Sequence, residues 1–123
     1  MKQVHILLIE ARENEIEFFT DALEESGLNF FCRTAKSIEH AFKILNNSIP
    51  DITFIDSNIV QAEGSIRLKE IKLLQKKPVV VYSTVTNSKK DQPDCEIFNY
   101  VQIPRSYHKM ARIFKNLFIN NDA

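Results

Sequence analysis

Pro50-Asp51-Ile52-Thr53-Phe54-Ile55-Asp56 (residues 50–56) reads as a buried strand that ends on a carboxylate. Ile52, Thr53, Phe54 and Ile55 form a β-branched and aromatic run of strand length. Pro50 precedes it, where no ladder hydrogen bond has to be donated. Asp56 falls where the strand stops, followed by polar Ser57 and Asn58. Packing explains such an acid poorly, because an uncompensated buried charge is costly. Asp56 is therefore a candidate chemical site, with a loop acid or a helix cap as the plainer reading.

The flanking sequence alternates helices with strands. Upstream, Ser37 can cap a helix whose Ile38, Ala41, Phe42 and Leu45 follow the i, i+3, i+4, i+7 pattern. Downstream, Gly64-Ser65 opens a helix with Leu68, Ile71 and Leu74 inward, Arg67, Lys69, Lys72 and Lys76 outward, and Pro78 as its stop. Val79 to Ser83 is another apolar strand. Val4 to Ile9 is nearly continuous in apolar residues, which predicts burial on both faces, and it ends at Glu10. Asn14 with Glu17 opens a helix carrying Ile16, Phe19 and Leu23, with Gly27 as its stop. Phe30 to Arg33 is a short strand and Asn99 to Ile103 a fifth. Ser106 caps a last helix with Tyr107, Met110, Ala111, Phe114 and Leu117 as its stripe. Residues 86–96 are polar, contain Pro93 and lack a stripe, so a short helix or an irregular loop is expected there.

This alternation predicts a three-layer α/β fold, with a parallel sheet covered by helices on both faces. The most apolar early strands, the first and third, should be central neighbours. Right-handed crossovers then give the flavodoxin-like order 2-1-3-4-5, with a crevice at the carboxyl ends of strands one and three. Glu10, Asp56 and Ser83 should converge at that rim.

Composition sets the remaining bounds. A chain of 123 residues, 44% apolar and 26% charged, is expected to form one domain over residues 1–123, with no effector domain following. Sixteen basic and sixteen acidic residues cancel, so no overall field favours nucleic acid or an anionic membrane. Cys32 and Cys95 match no metal spacing and read as free thiols of a reducing cytoplasm. No signal peptide and no apolar run of roughly 18 residues is present, which predicts a cytoplasmic protein. His5, His40 and His108 have no partner spacing and read as structural. The basic face Arg105, His108, Lys109, Arg112 and Lys115 is a solvated helix side or a surface for an acidic partner. Residues 120–123 read as a frayed end.

From Val4 to about Phe118 the chain resembles the receiver domain of two-component response regulators, a CheY-like fold. Pro50 to Asp56 is similar to the family's phosphoacceptor segment. The resemblance makes Asp56 the phosphoacceptor and Ser83 the hydroxyl that hydrogen-bonds the phosphoryl group. It makes Tyr100 the switch aromatic. It assigns Mg²⁺ to Glu10, Asp56 and the main-chain carbonyl of Asn58. It implies a histidine kinase or phosphotransfer protein as donor and a downstream protein as target, with the domain a monomer or homodimer and not an enzyme in its own right. The sequence departs from the pattern at Ala11, where the family has a metal-holding carboxylate, and at Ile103, where it has a phosphoryl-binding lysine. Val60 replaces a usual proline, and the stretch from Ser83 to Pro104 is shorter than the common spacing.

The departures bear on the chemistry. An aspartate accepts a phosphoryl group only if the accumulating negative charge is neutralised. One cation at ~4 Å contributes up to ~4 kcal/mol at an effective dielectric near 20, less at an open crevice. Glu10 and Asp56 still offer two acids for a weak Mg²⁺ site. Arg12 and Arg105 are the cations near enough in sequence to replace the lysine. Two functions therefore stand side by side: a stand-alone receiver phosphorylated at Asp56, and a phosphorylation-independent interaction module. An enzyme or flavin carrier on the same topology is disfavoured. The first turn, Glu10-Ala11-Arg12-Glu13-Asn14-Glu15, lacks the glycines of a phosphate loop, and the chain has only Gly27 and Gly64.

Overall fold

The apolar runs become five parallel strands: β1 (Val4–Ile9), β2 (Phe30–Ala35), β3 (Ile52–Asp56), β4 (Val79–Ser83) and β5 (Asn99–Gln102). They form one sheet in the order β2-β1-β3-β4-β5, as expected. This computed structural model describes residues 2–83 and 99–119. Its helices are α1 (Glu13–Ser26), α2 (Ile38–Leu45), α3 (Ser57–Glu63), α4 (Ser65–Gln75) and α5 (Tyr107–Ile119). Among the described residues no helix is long and apolar enough to cross a membrane. The stretch 86–96, Cys95 and residues 120–123 lie outside the described residues.

Alternation along each strand sends neighbouring side chains to opposite faces, and both faces are covered. Leu7, Ile9, Ile55, Val79 and Val81 pack with Ile38, Ala41 and Leu45 of α2 and with Leu68 and Ile71 of α4. Ile6, Leu8, Phe54, Val80 and Tyr82 pack with Phe19, Ala22 and Leu23 of α1 and with Met110, Phe114 and Phe118 of α5. Phe19 is the centre of the second layer: its ring lies edge-on to Phe54 at 5.0 Å and to Phe114 at 4.9 Å between centroids. Such pairs add to simple area burial.

The helix termini follow local rules in part. Gly27 ends α1 in the left-handed region at φ 76°. The Ser37 hydroxyl accepts the His40 N–H at 3.1 Å and starts α2. The Ser106 hydroxyl accepts the Lys109 N–H at 3.4 Å before α5. By contrast, α1 starts at Glu13 rather than Asn14, with Arg12 at the cap position and no side-chain cap bond. Cys32 on β2 is a free, partly buried thiol, and burial pushes its pKa up to about 11.

Two helical expectations change. The residues after β3 enter a helix at once: Asp56 caps α3 by accepting the Asn58 N–H at 3.1 Å, and Gly64, at φ 91°, separates α3 from α4. Leu74 is not inward but 48% exposed. Each three-residue step falls short of a full helical turn, so Leu74 is rotated by about 120° from Leu68.

Candidate functional site

The register of the central strands builds the site. Ile9 lies opposite Ile55, which sets Glu10 and Asp56 side by side where β1 and β3 stop. Both acids are buried, Glu10 at 0% and Asp56 at 3% exposure. The Glu10 main-chain N–H continues the ladder to the Ala35 carbonyl at 2.9 Å. Two free carboxylates could not be held this way, and the structure supplies their partners.

The cation is Arg12. Its Nη2 donates to Asp56 Oδ2 at 3.2 Å and to Glu10 Oε1 at 3.4 Å, while its Nε lies 3.4 Å from Glu10 Oε2. Its main-chain N–H also donates to Glu10 Oε2, at 3.1 Å. The planar fork suits two carboxylates better than a lysine would. From below, the hydroxyl of buried Tyr82 donates to Glu10 Oε1 at 2.7 Å. The Asn58 N–H completes the set on Asp56 Oδ1.

These contacts drive the two acids apart in titration. Burial raises the pKa of Asp56 to about 6, and the neighbouring Glu10 charge adds to that, against the opposing pull of the Asn58 N–H and Arg12. Burial acts on Glu10 in the same direction, but the Tyr82 hydroxyl and the Arg12 main-chain and side-chain donors outweigh it and hold Glu10 below the ordinary value. Of the pair, Asp56 is thus the member that takes up a proton. Burial and the Glu10 charge raise the Tyr82 hydroxyl far above its ordinary range, so Tyr82 stays a donor.

The other expected residues take distinct places. Ser83 ends β4 one residue past Tyr82, the register partner of Asp56, and is buried; its carbonyl accepts the Ile103 N–H at 2.7 Å. Ser83 therefore shares the rim with Glu10 and Asp56. Tyr100 sits opposite Val81 on β5 and packs against the α2 and α4 layer. Ile103, at the place of the lysine, is buried in the α1 and α5 layer. Arg105 does not reach the acids: it binds Glu15 at 3.1 and 3.2 Å and lies over the Phe18 ring at 4.6 Å. Of the two nearby cations, Arg12 alone joins the pair. The Tyr82 contact was not anticipated; its signal is a hydroxyl within the buried run Val79 to Ser83, which has to find a partner.

The implied Mg²⁺ can be tested against these donors. Ala11 offers no side-chain ligand, and the Arg12 fork occupies the gap between Glu10 and Asp56. Asn58 is the second residue of α3, where a carbonyl is turned along the helix toward the amide four residues on. Among the described residues no group of three or more His, Cys, Asp or Glu side chains is placed to hold a metal ion. The residues as arranged do not fit the ion.

No protein-family model matches the sequence, and no curated protein matches it. Solved structures do match the fold, and several of them are response regulators. A response regulator from Thermotoga maritima superposes with TM-score 0.79 at 16% identity, over 96% of this chain and 99% of its own. The phosphorylated cyanobacterial phytochrome response regulator RcpA gives 0.74 at 22% identity, over 98% and 96%. NtrX from Brucella abortus in complex with ADP gives 0.75 at 19% identity; there 98% of this chain covers only 27% of the longer protein. The fold of this chain is that of the CheY-like response regulator receiver domain.

Proposed function

We propose that the chain is a receiver-type signalling domain in a two-component phosphorelay, with Asp56 as phosphoacceptor and output through protein–protein contact. The observation that carries this reading is the Glu10–Arg12–Asp56 cluster at the carboxyl edge of β1 and β3, in a receiver fold. In the transfer an Asp56 carboxylate oxygen forms an O–P bond while the P–N bond of a donor phosphohistidine breaks, and the donor imidazole leaves with that electron pair. Arg12 faces the added charge and Ser83 offers its hydroxyl. A histidine kinase or phosphotransfer protein supplies the group, and a downstream protein reads the result. The domain has no enzymatic output of its own and binds neither nucleic acid nor membrane; it acts as a monomer or homodimer in the cytoplasm.

A second reading rests on Ile103 and Arg12: the module signals without phosphorylation, its acids already bridged by a cation of the chain itself. Acetyl phosphate or a phosphorylated phosphotransfer protein, followed by intact-mass measurement, separates the two. A single phosphoryl adduct in the wild type, absent in Asp56→Asn, supports the phosphoacceptor. No adduct with either donor rejects it in favour of the second reading.

A further inference from the structure

We infer that Arg12 is the resident counter-ion of the Glu10–Asp56 pair, a covalently attached cation standing where a divalent metal would otherwise sit, so that the pocket works metal-free. The inference rests on reading this pair as the receiver site, but its test needs neither a phosphoryl donor nor a partner protein.

Every oxygen of the two carboxylates already has a donor. Glu10 Oε1 takes the Tyr82 hydroxyl and Arg12 Nη2, and Glu10 Oε2 takes the Arg12 main-chain N–H and Nε. Asp56 Oδ1 takes the Asn58 N–H and Oδ2 takes Arg12 Nη2. A small hard ion such as Mg²⁺ has to approach oxygens to about 2.1 Å in octahedral geometry. It could reach both acids only by expelling the guanidinium, which is fixed to the chain one peptide beyond Ala11.

The fork is also placed as a cover. The Arg12 side chain is 42% exposed, whereas those of Glu10 and Asp56 are 0% and 4% exposed. It is therefore the solvent-facing member of the cluster, above two acids that solvent hardly reaches. The pull is mutual: burial opposes the charge on Arg12, but Glu10, with Asp56 and Glu15, outweighs it and favours the charged arginine. The same loop residue clamps Glu10 through its main chain, so the guanidinium starts its reach from a fixed point. Ala11 and Arg12 are thus complementary: the first offers no side-chain metal ligand, and the second brings a positive charge to the acid pair.

The test is a titration with Mn²⁺ alone, read as paramagnetic broadening of backbone amides, and repeated with Mg²⁺ read as shifts. Wild type is expected to show no saturable effect at the Glu10 and Asp56 amides at millimolar metal. Arg12→Ala and Arg12→Gln, which leave the acid pair uncompensated, should bind at least about tenfold more tightly. The gain should vanish again in Glu10→Gln/Arg12→Ala. Circular dichroism verifies folding; if Arg12→Ala unfolds, Arg12→Gln decides. Saturable metal binding at these amides in wild type overturns the proposal. So does a folded Arg12→Gln that binds no better than wild type. A missing phosphoryl adduct would reject phosphoacceptance and leave this result standing; metal binding by wild type would do the reverse.

Discussion

Asp56 and Glu10 share one guanidinium, and this sharing makes stability depend on pH in a definite direction. The folded state raises Asp56 from the ordinary 3.8 to about 6. Between these values the folded protein binds more protons than the unfolded chain, so the contribution of Asp56 is fully present below pH 3.8 and is lost as pH rises through about 6. Glu10 acts oppositely: its lowered pKa gives a contribution present above the ordinary 4.5 and lost as pH falls through the folded value. From about pH 4.5 to 6 the Asp56 effect is therefore the one that changes. Asp56→Asn should flatten stability across this window and raise it at pH 7 by about 1–3 kcal/mol, checked by urea denaturation at the two ends. Tyr82 gives the companion prediction. Tyr82→Phe removes the 2.7 Å donor from a carboxylate with no exposure, and should cost about 1–3 kcal/mol while raising the Glu10 pKa, followed by NMR titration of its side chain.

At the scale of elements, α3 and α4 mark where sequence reading stops working. The strands were legible because their apolar runs are continuous, and the order followed from which runs were most apolar. Hence the meeting of Glu10, Asp56 and Ser83 at one rim was also legible. The helix α3 was not: its only buried apolar residues are Ile59 and Val60, beside buried Ser57, and its start depends on an Asp56 side chain bending back to Asn58. An aspartate followed by polar residues signals a loop, a cap or a site equally well. The Arg12 bridge was legible only as proximity, because spacing does not encode where a long side chain points. On α4 the true core positions are Leu68 and Ile71, both at 0% exposure, while Ile66, Leu73 and Leu74 are 73%, 75% and 48% exposed. Leu68→Ala should therefore cost about 2–5 kcal/mol, whereas Leu74→Lys should stay within about 0.5 kcal/mol of wild type. Chemical denaturation of the two variants ranks them; equal losses would mean that Leu74 faces the core.

For the whole molecule, one sheet carries two apolar layers of described residues, one on each face. Leu68 belongs to the layer under α2 and α4, and Phe114 to the layer under α1 and α5. β1, β3 and β4 contribute residues to both, alternating along each strand, so neither layer can be lost while the other keeps its wall. The domain should therefore unfold as a single unit. Helix content from far-UV dichroism and tyrosine packing from near-UV dichroism should follow the same curve in wild type, in Leu68→Ala and in Phe114→Ala. Phe114→Ala should cost about 3–5 kcal/mol, since Phe114 also holds its ring contacts with Phe19 and Phe54. Because the two sites belong to different apolar clusters on opposite faces, their losses should add within about 0.5 kcal/mol in the double variant, provided it still folds. Separate far-UV and near-UV transitions in either single variant would show instead that one layer melts alone. The acid pair, seated at the rim where both layers end, would then be anchored by only half of the molecule.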